Sequence, residues 1–90
     1  MDANEKYFAE YGSEPLHANT QILVDRFAHA LALKLLKAQH KHGYKDNWMR
    51  PDWEHECRAE LDRHVAKGDP LDVAAYCAFM FHHGWNTSNK

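Results

Sequence analysis

Residues 52–85, DWEHECRAELDRHVAKGDPLDVAAYCAFMFHHGW, decide the fold, and within them Lys67-Gly68-Asp69-Pro70 decides how the stretch divides. Glycine enters the left-handed conformation that closes a helix without a Cβ clash, so a helix is predicted to end at Lys67 with Gly68 just beyond. Asp69 is predicted as the N-cap of the next helix. Pro70 at its first position forfeits no hydrogen bond, and Asp72 sets a second carboxylate on the positive end of the helix dipole. From Val73 to Phe81 the chain reads VAAYCAFMF without a charge. A helix apolar on every side is expected to lie buried between other elements.

Before the Gly68 break, Asp52 is predicted to cap a helix over about 53–67 in which Trp53, Cys57, Leu61 and Val65 form the inward stripe. Glu56, Glu60 and His64 form the neighbouring stripe at the same spacing, and Arg58–Asp62 reads as an exposed pair of little energetic weight. The last helix, about 70–83, stops at Gly84 with Trp85 in a hydrophobic capping contact, and 86–90 is read as a frayed tail.

Further towards the N-terminus, Asn19 or Thr20 is predicted to cap a long helix over about 19–42 that Gly43 ends. Leu23, Phe27, Leu31, Leu35 and Ala38 form its stripe, broadened by Ile22, Ala30 and Leu33. Lys34, Lys37, His40, Lys41 and His42 crowd its later turns, where positive charge complements the dipole or faces a phosphate. Residues 1–18 read as an arm in which Tyr7, Phe8 and Tyr11 make an apolar turn before Gly12-Ser13-Glu14-Pro15 breaks it. The main loop, GYKDNWMRP at 43–51, interleaves Tyr44 and Trp48 with Lys45, Asn47 and Arg50. Trp48 there either stacks on a nucleobase or fills the gap between helices. No strand pattern and no repeat interrupts this, so 1–90 is predicted to be one all-α domain of three main helices, a helical bundle completed by oligomerisation.

Ninety residues bury a modest core, and for that reason a homo-oligomer is expected. A formal net charge of −2 lacks the basic surface that nucleic-acid binding requires. The apolar run of the last helix is too short to span a bilayer. Cys57 and Cys77 lie inside helices with no signal-like segment ahead of them, and they read as small core residues of a cytoplasmic protein.

Eight histidines raise the question of a transition metal. His40 and His42 are two apart and cannot share a helix face, His82 and His83 are adjacent, and the position that would complete an HExxH motif after His55-Glu56 holds Ala59. There is no GxSxG, P-loop or GxGxxG. The carboxylates are the better candidates. Glu56 and Glu60 share a face, and a tight helical hairpin is expected to bring that face near Asp72, which with Asp69 stands at the entrance to the last helix, giving either a set of hard oxygens suited to Mg²⁺ or an ordinary solvated face.

The succession of KAQHKHGYKDNW, a helix with spaced glutamates, and a helix entered through Asp69-Pro70-Leu71-Asp72 resembles the MazG-like all-α nucleoside-triphosphate pyrophosphohydrolases over roughly residues 37–83. It is similar to the small phage- or prophage-encoded members that act on purine deoxynucleotides. The resemblance implies a Mg²⁺ site, with Mn²⁺ as substitute, held by Glu56, Glu60, Asp69 and Asp72. It also implies catalytic roles for Glu56, Glu60 and His64, and substrate contacts from Lys41, Tyr44, Lys45, Trp48 and Arg50. The alternative from another class is a non-enzymatic phage accessory protein that binds and modulates a host protein through an exposed Trp48, Trp53 or Trp85, since interface hot spots favour tryptophan and arginine.

Overall fold

The computed structural model describes residue 12 and residues 14–88, and over these the chain is all-α. Helix α1 runs Ala18–His42, α2 Glu54–Lys67 and α3 Pro70–His83, with a single 3₁₀ turn, Asn47–Met49, in the loop before α2. Tyr7, Phe8 and Tyr11 of the predicted arm lie outside the described residues.

The punctuation of the α2–α3 hairpin is the predicted one. Gly68 takes φ 90°, and its N–H donates to the carbonyls of His64 and Val65. Asp69 Oδ1 accepts the Leu71 N–H at 2.9 Å, with Pro70 in the first turn of α3. The other two caps differ. α1 starts one residue earlier than Asn19, and His17 is its N-cap, with Nδ1 accepting the Asn19 N–H at 3.1 Å. An imidazole nitrogen reaches the same orphan donor that a short oxygen side chain would. At α2 the N-cap is Trp53, which makes no side-chain cap bond, and not Asp52. The Trp53 indole instead donates to the Trp48 carbonyl at 3.0 Å, while Asp52 accepts from Arg50 Nε at 3.2 Å. Anchoring the indole in the core takes precedence over the cap.

Cys57, Leu61 and Met80 make the core of the hairpin, ringed by Trp53, Val73, Tyr76, Phe79 and Trp85. Val65 does not belong to it and is 57% exposed, whereas His64 is buried. A row of residues four apart drifts about 40° per step around a helix, so after Leu61 the buried face passes to the residue three along. Arg58 pairs with Glu54 at 3.2 Å and not with Asp62, and it donates to the Asn86 carbonyl at 3.0 Å, tying down the first residue of the predicted tail. Acid one turn ahead of base is the favoured order on a helix.

α3 is the middle element. α2 packs on one flank of it and α1 on another, and no Cα of α1 comes within 8 Å of one in α2. This leaves α3 uncovered on its remaining side, contrary to the burial predicted for it. Cys77 and Ala78 are exposed and Phe81 is 69% exposed. Two helices and one short turn do not enclose it. α1 buries no residue fully. No helix among the described residues is long and apolar enough to cross a membrane.

Candidate functional site

Because α1 and α2 lean on α3 without meeting, they leave a groove of about 720 Å³ with α3 as its floor. Its walls include Leu35 and Gln39 of α1, Tyr44, Lys45 and Trp48 of the loop, Arg63 and His64 of α2, and Asp72, Tyr76 and Phe79 of α3. Trp48 stacks on Phe79 with ring centroids 5.8 Å apart, and its carbonyl accepts from both Trp53 and His83. Its ring fills the gap between loop and α3 and also forms part of the groove wall. A smaller aromatic recess adjoins, shared by Tyr44, Trp48 and Phe79 and bordered by Asn47, Arg50 and Trp53.

The polar end of the groove is built on the hairpin. Lys34 Nζ reaches across from α1 to Asp69 Oδ2 at 3.2 Å and Asp72 Oδ1 at 3.3 Å. His64, 9% exposed, stacks on Tyr76 at 5.1 Å between two carboxylates, with Asp72 Oδ2 3.5 Å from Nδ1 and Glu60 Oε2 3.8 Å from Nε2. Arg63 holds Glu60 with Nη2 2.6 Å from Oε2, and the same Nη2 lies 3.2 Å from His64 Nε2. A guanidinium only donates, which assigns Nε2 as acceptor and puts the ring hydrogen of neutral His64 on Nδ1. That buried nitrogen has no hydrogen-bond partner.

Charge follows these contacts. Asp69 is held below the usual carboxylate range, first by the Leu71 N–H and then by Lys34. The Arg63 hydrogen bond does the same for Glu60. Lys34 is raised by Asp69 and Asp72, Tyr76 is raised by burial and then by Glu60, and burial pushes the Cys57 thiol up to about 11. An acid whose pKa is lower folded than unfolded stabilises the fold above the unfolded value and loses that contribution as pH falls through the folded one. The difference in melting temperature between wild type and Asp69→Asn is therefore expected to be constant from about pH 7 to 5 and to shrink below about pH 4. Thermal melts followed by circular dichroism across this range check it, and a difference independent of pH down to the acid limit would remove the Asp69 charge from the account.

Of the residues singled out in the sequence, the structure brings Glu60, His64 and Asp72 together, links Asp69 to them through Lys34, and lines the same groove with Tyr44, Lys45 and Trp48. Arg50 borders the adjoining recess. Lys41 and Glu56 are exposed and outside this cluster. Arg63, Tyr76 and Phe79 were not anticipated, and Lys34 was read only among the later-turn charges of α1 that complement the dipole or face a phosphate. Only Lys34 carried a sign of its place, as a charge midway between Ala30 and Ala38 on an apolar stripe.

The implied Mg²⁺ finds no closed set of ligands in one protomer. Glu60 and Asp72 approach opposite nitrogens of one imidazole, too far apart for an ion that holds oxygens at about 2.1 Å, and each is engaged by a cation. Among the described residues no three His, Cys, Asp or Glu side chains are arranged to hold a metal ion. No protein-family model matches the chain, and neither the curated proteins nor the solved structures give a match.

Proposed function

We propose that this protein is a nucleotide pyrophosphohydrolase that takes a (deoxy)nucleoside triphosphate in the groove and works as a homo-oligomer. What carries this is the pairing, in one groove, of an aromatic wall at Trp48 and Tyr44 with a charged wall at Lys34, Arg63, His64 and Asp72. Phe79, on which Trp48 stacks, and Asp72 are about 10 Å apart along α3, the scale of a nucleotide from base to phosphates. The groove volume also lies in the range of small-molecule sites.

The base stacks on Trp48, and Lys45 meets the phosphates. A triphosphate that draws Lys34 and Arg63 onto its oxygens releases Asp72 and Glu60 in the same movement, so that binding itself bares the carboxylates. Water then attacks the α-phosphorus as the bond to the bridging oxygen of the departing pyrophosphate breaks, the bared Glu60 takes the water proton, and the two cations neutralise charge building on the pyrophosphate. A divalent ion brought in by the triphosphate would offset part of its charge.

The test is pyrophosphate release from a panel of deoxynucleoside triphosphates with Mg²⁺ or Mn²⁺, wild type against Glu60→Gln. Release is expected to fall about a hundredfold or more in the variant with helicity and particle size unchanged. Absence of release from every nucleotide by the wild type sinks the hydrolase. The rival, a helical module that binds a host protein, would then take precedence; Trp48, Trp53 and Trp85, expected as its exposed anchors, are half-buried in the packing, so it would draw on the exposed apolar side chains of Leu23, Phe27 and Phe81 instead.

A further inference from the structure

We propose that Asp72 is a two-position switch and His64 the positioning residue that receives it. In the structure Lys34 holds the Asp72 carboxylate, and when a polyphosphate takes Lys34 that carboxylate closes onto Nδ1 of His64. This rests on the groove as a polyphosphate site proposed above, and not on the hydrolytic chemistry.

A buried donor without an acceptor carries the inference. His64 is buried, and Nδ1, which bears the ring hydrogen while Arg63 Nη2 donates to Nε2 from 3.2 Å, has no hydrogen-bond partner. Four side chains of the hairpin face this ring, Glu60 and Arg63 from α2 and Asp72 and Tyr76 from α3. Asp72 is the one that sets an acceptor beside Nδ1, with Oδ2 at 3.5 Å, beyond the usual reach of an N–H···O bond. Its other oxygen, Oδ1, is taken by Lys34 Nζ at 3.3 Å, and the pull of that ammonium keeps the carboxylate short of the ring.

Lys34 is what turns the switch. Among the described residues it makes the only hydrogen bonds and ion pairs between α1 and the hairpin, to Asp69 and Asp72. A polyphosphate that takes Lys34 strands neither carboxylate. Asp69 keeps the Leu71 N–H at 2.9 Å, and Asp72 gains the Nδ1–H. An unpaired buried N–H is penalised by more than an ordinary hydrogen bond contributes, so pairing it offsets the loss of the lysine contact. Glu60, released by Arg63, faces Nε2, which has no hydrogen to give, and it stays open to water. The two carboxylates thus part company, one stored against the ring and one free.

Nitrogen–proton NMR of the imidazoles in the full chain tests this at about pH 8, above the ordinary histidine range. His64→Phe, which keeps a ring against Tyr76, identifies the His64 signal by its loss. A hydrogen bond to a carboxylate moves an imidazole proton downfield and slows its exchange with water. Lys34→Met, with no ligand added, is expected to move the Nδ1 proton downfield, and tripolyphosphate is expected to move the wild-type signal in the same direction. An Nδ1 signal that Lys34→Met leaves in place overturns the switch. A signal moved by Lys34→Met but not by tripolyphosphate overturns the coupling to the anion, and the groove as a polyphosphate site with it. A signal moved by both, in a protein that releases no pyrophosphate, upholds this inference while the hydrolase falls.

Discussion

Met80→Ala is expected to lower the melting temperature by roughly 10–30 °C, a loss set by the depth at which this side chain is buried. Met80 is 1% exposed and, with Cys57 and Leu61, makes up the buried cluster of the hairpin. Removing a buried methionine side chain costs about 2–5 kcal/mol, because the transfer energy is lost and the cavity left behind refills only in part. A chain of 90 residues has in total about 5–13 kcal/mol to lose. Phe81, one residue further along the helix and 69% exposed, is the control, expected to change protomer stability by less than about 0.5 kcal/mol on truncation. Melts followed by circular dichroism compare the two. A Met80→Ala melt within a few degrees of wild type would mean that the α2–α3 packing is not what holds the protomer.

Trp48→Ala is expected to weaken nucleotide binding roughly 5- to 150-fold, the equivalent of about 1–3 kcal/mol for one lost stacking face. The backbone contact that passes through Trp48 survives the substitution, while the packing of its ring on Phe79 and His82 is lost with the ring. Trp53 and His83 bond to its carbonyl, which alanine retains, so the loss isolates the ring that stacks on Phe79 and lines the groove. Trp48→Phe keeps a stacking face and is expected to recover most of the affinity. Calorimetric titration of all three proteins with the nucleotides proposed as ligands measures this. Equal affinities in wild type and Trp48→Ala would leave Trp48 as filling between loop and α3.

The candidate site was half legible from the chain. Glu60, His64 and Asp72 meet because Gly68 and Asp69 turn α2 directly into α3, and both the turn and the spacing are written in adjacent residues. Glu56 shares their row but stands a turn further from the closed end of the hairpin, about 6 Å along the axis, and stays in solvent. Lys34 and Tyr76 were out of reach for another reason. Their roles depend on where α1 lies against α3, a contact between segments 35 residues apart in the Lys34–Asp69 pair.

Helix number, the glycine stops and the Asp69-Pro70 start were thus readable in the residues, because glycine, proline and short polar caps act within one turn of where they stand, whereas the caps at His17 and Trp53 were not. Gly43, Gly68 and Gly84 all take positive φ at the predicted stops. Burial was not readable in the same way. VAAYCAFMF promised an enclosed helix, and Cys77, Ala78 and Phe81 are exposed because burial is set by how many neighbours surround a helix and not by its own composition. His64 replacing Val65 in the core, the carboxylates reaching opposite edges of its ring, and a groove left by two helices that share a neighbour all follow from packing between distant segments. Local sequence constrains the backbone within a turn or two, while the faces that meet are chosen by the whole chain.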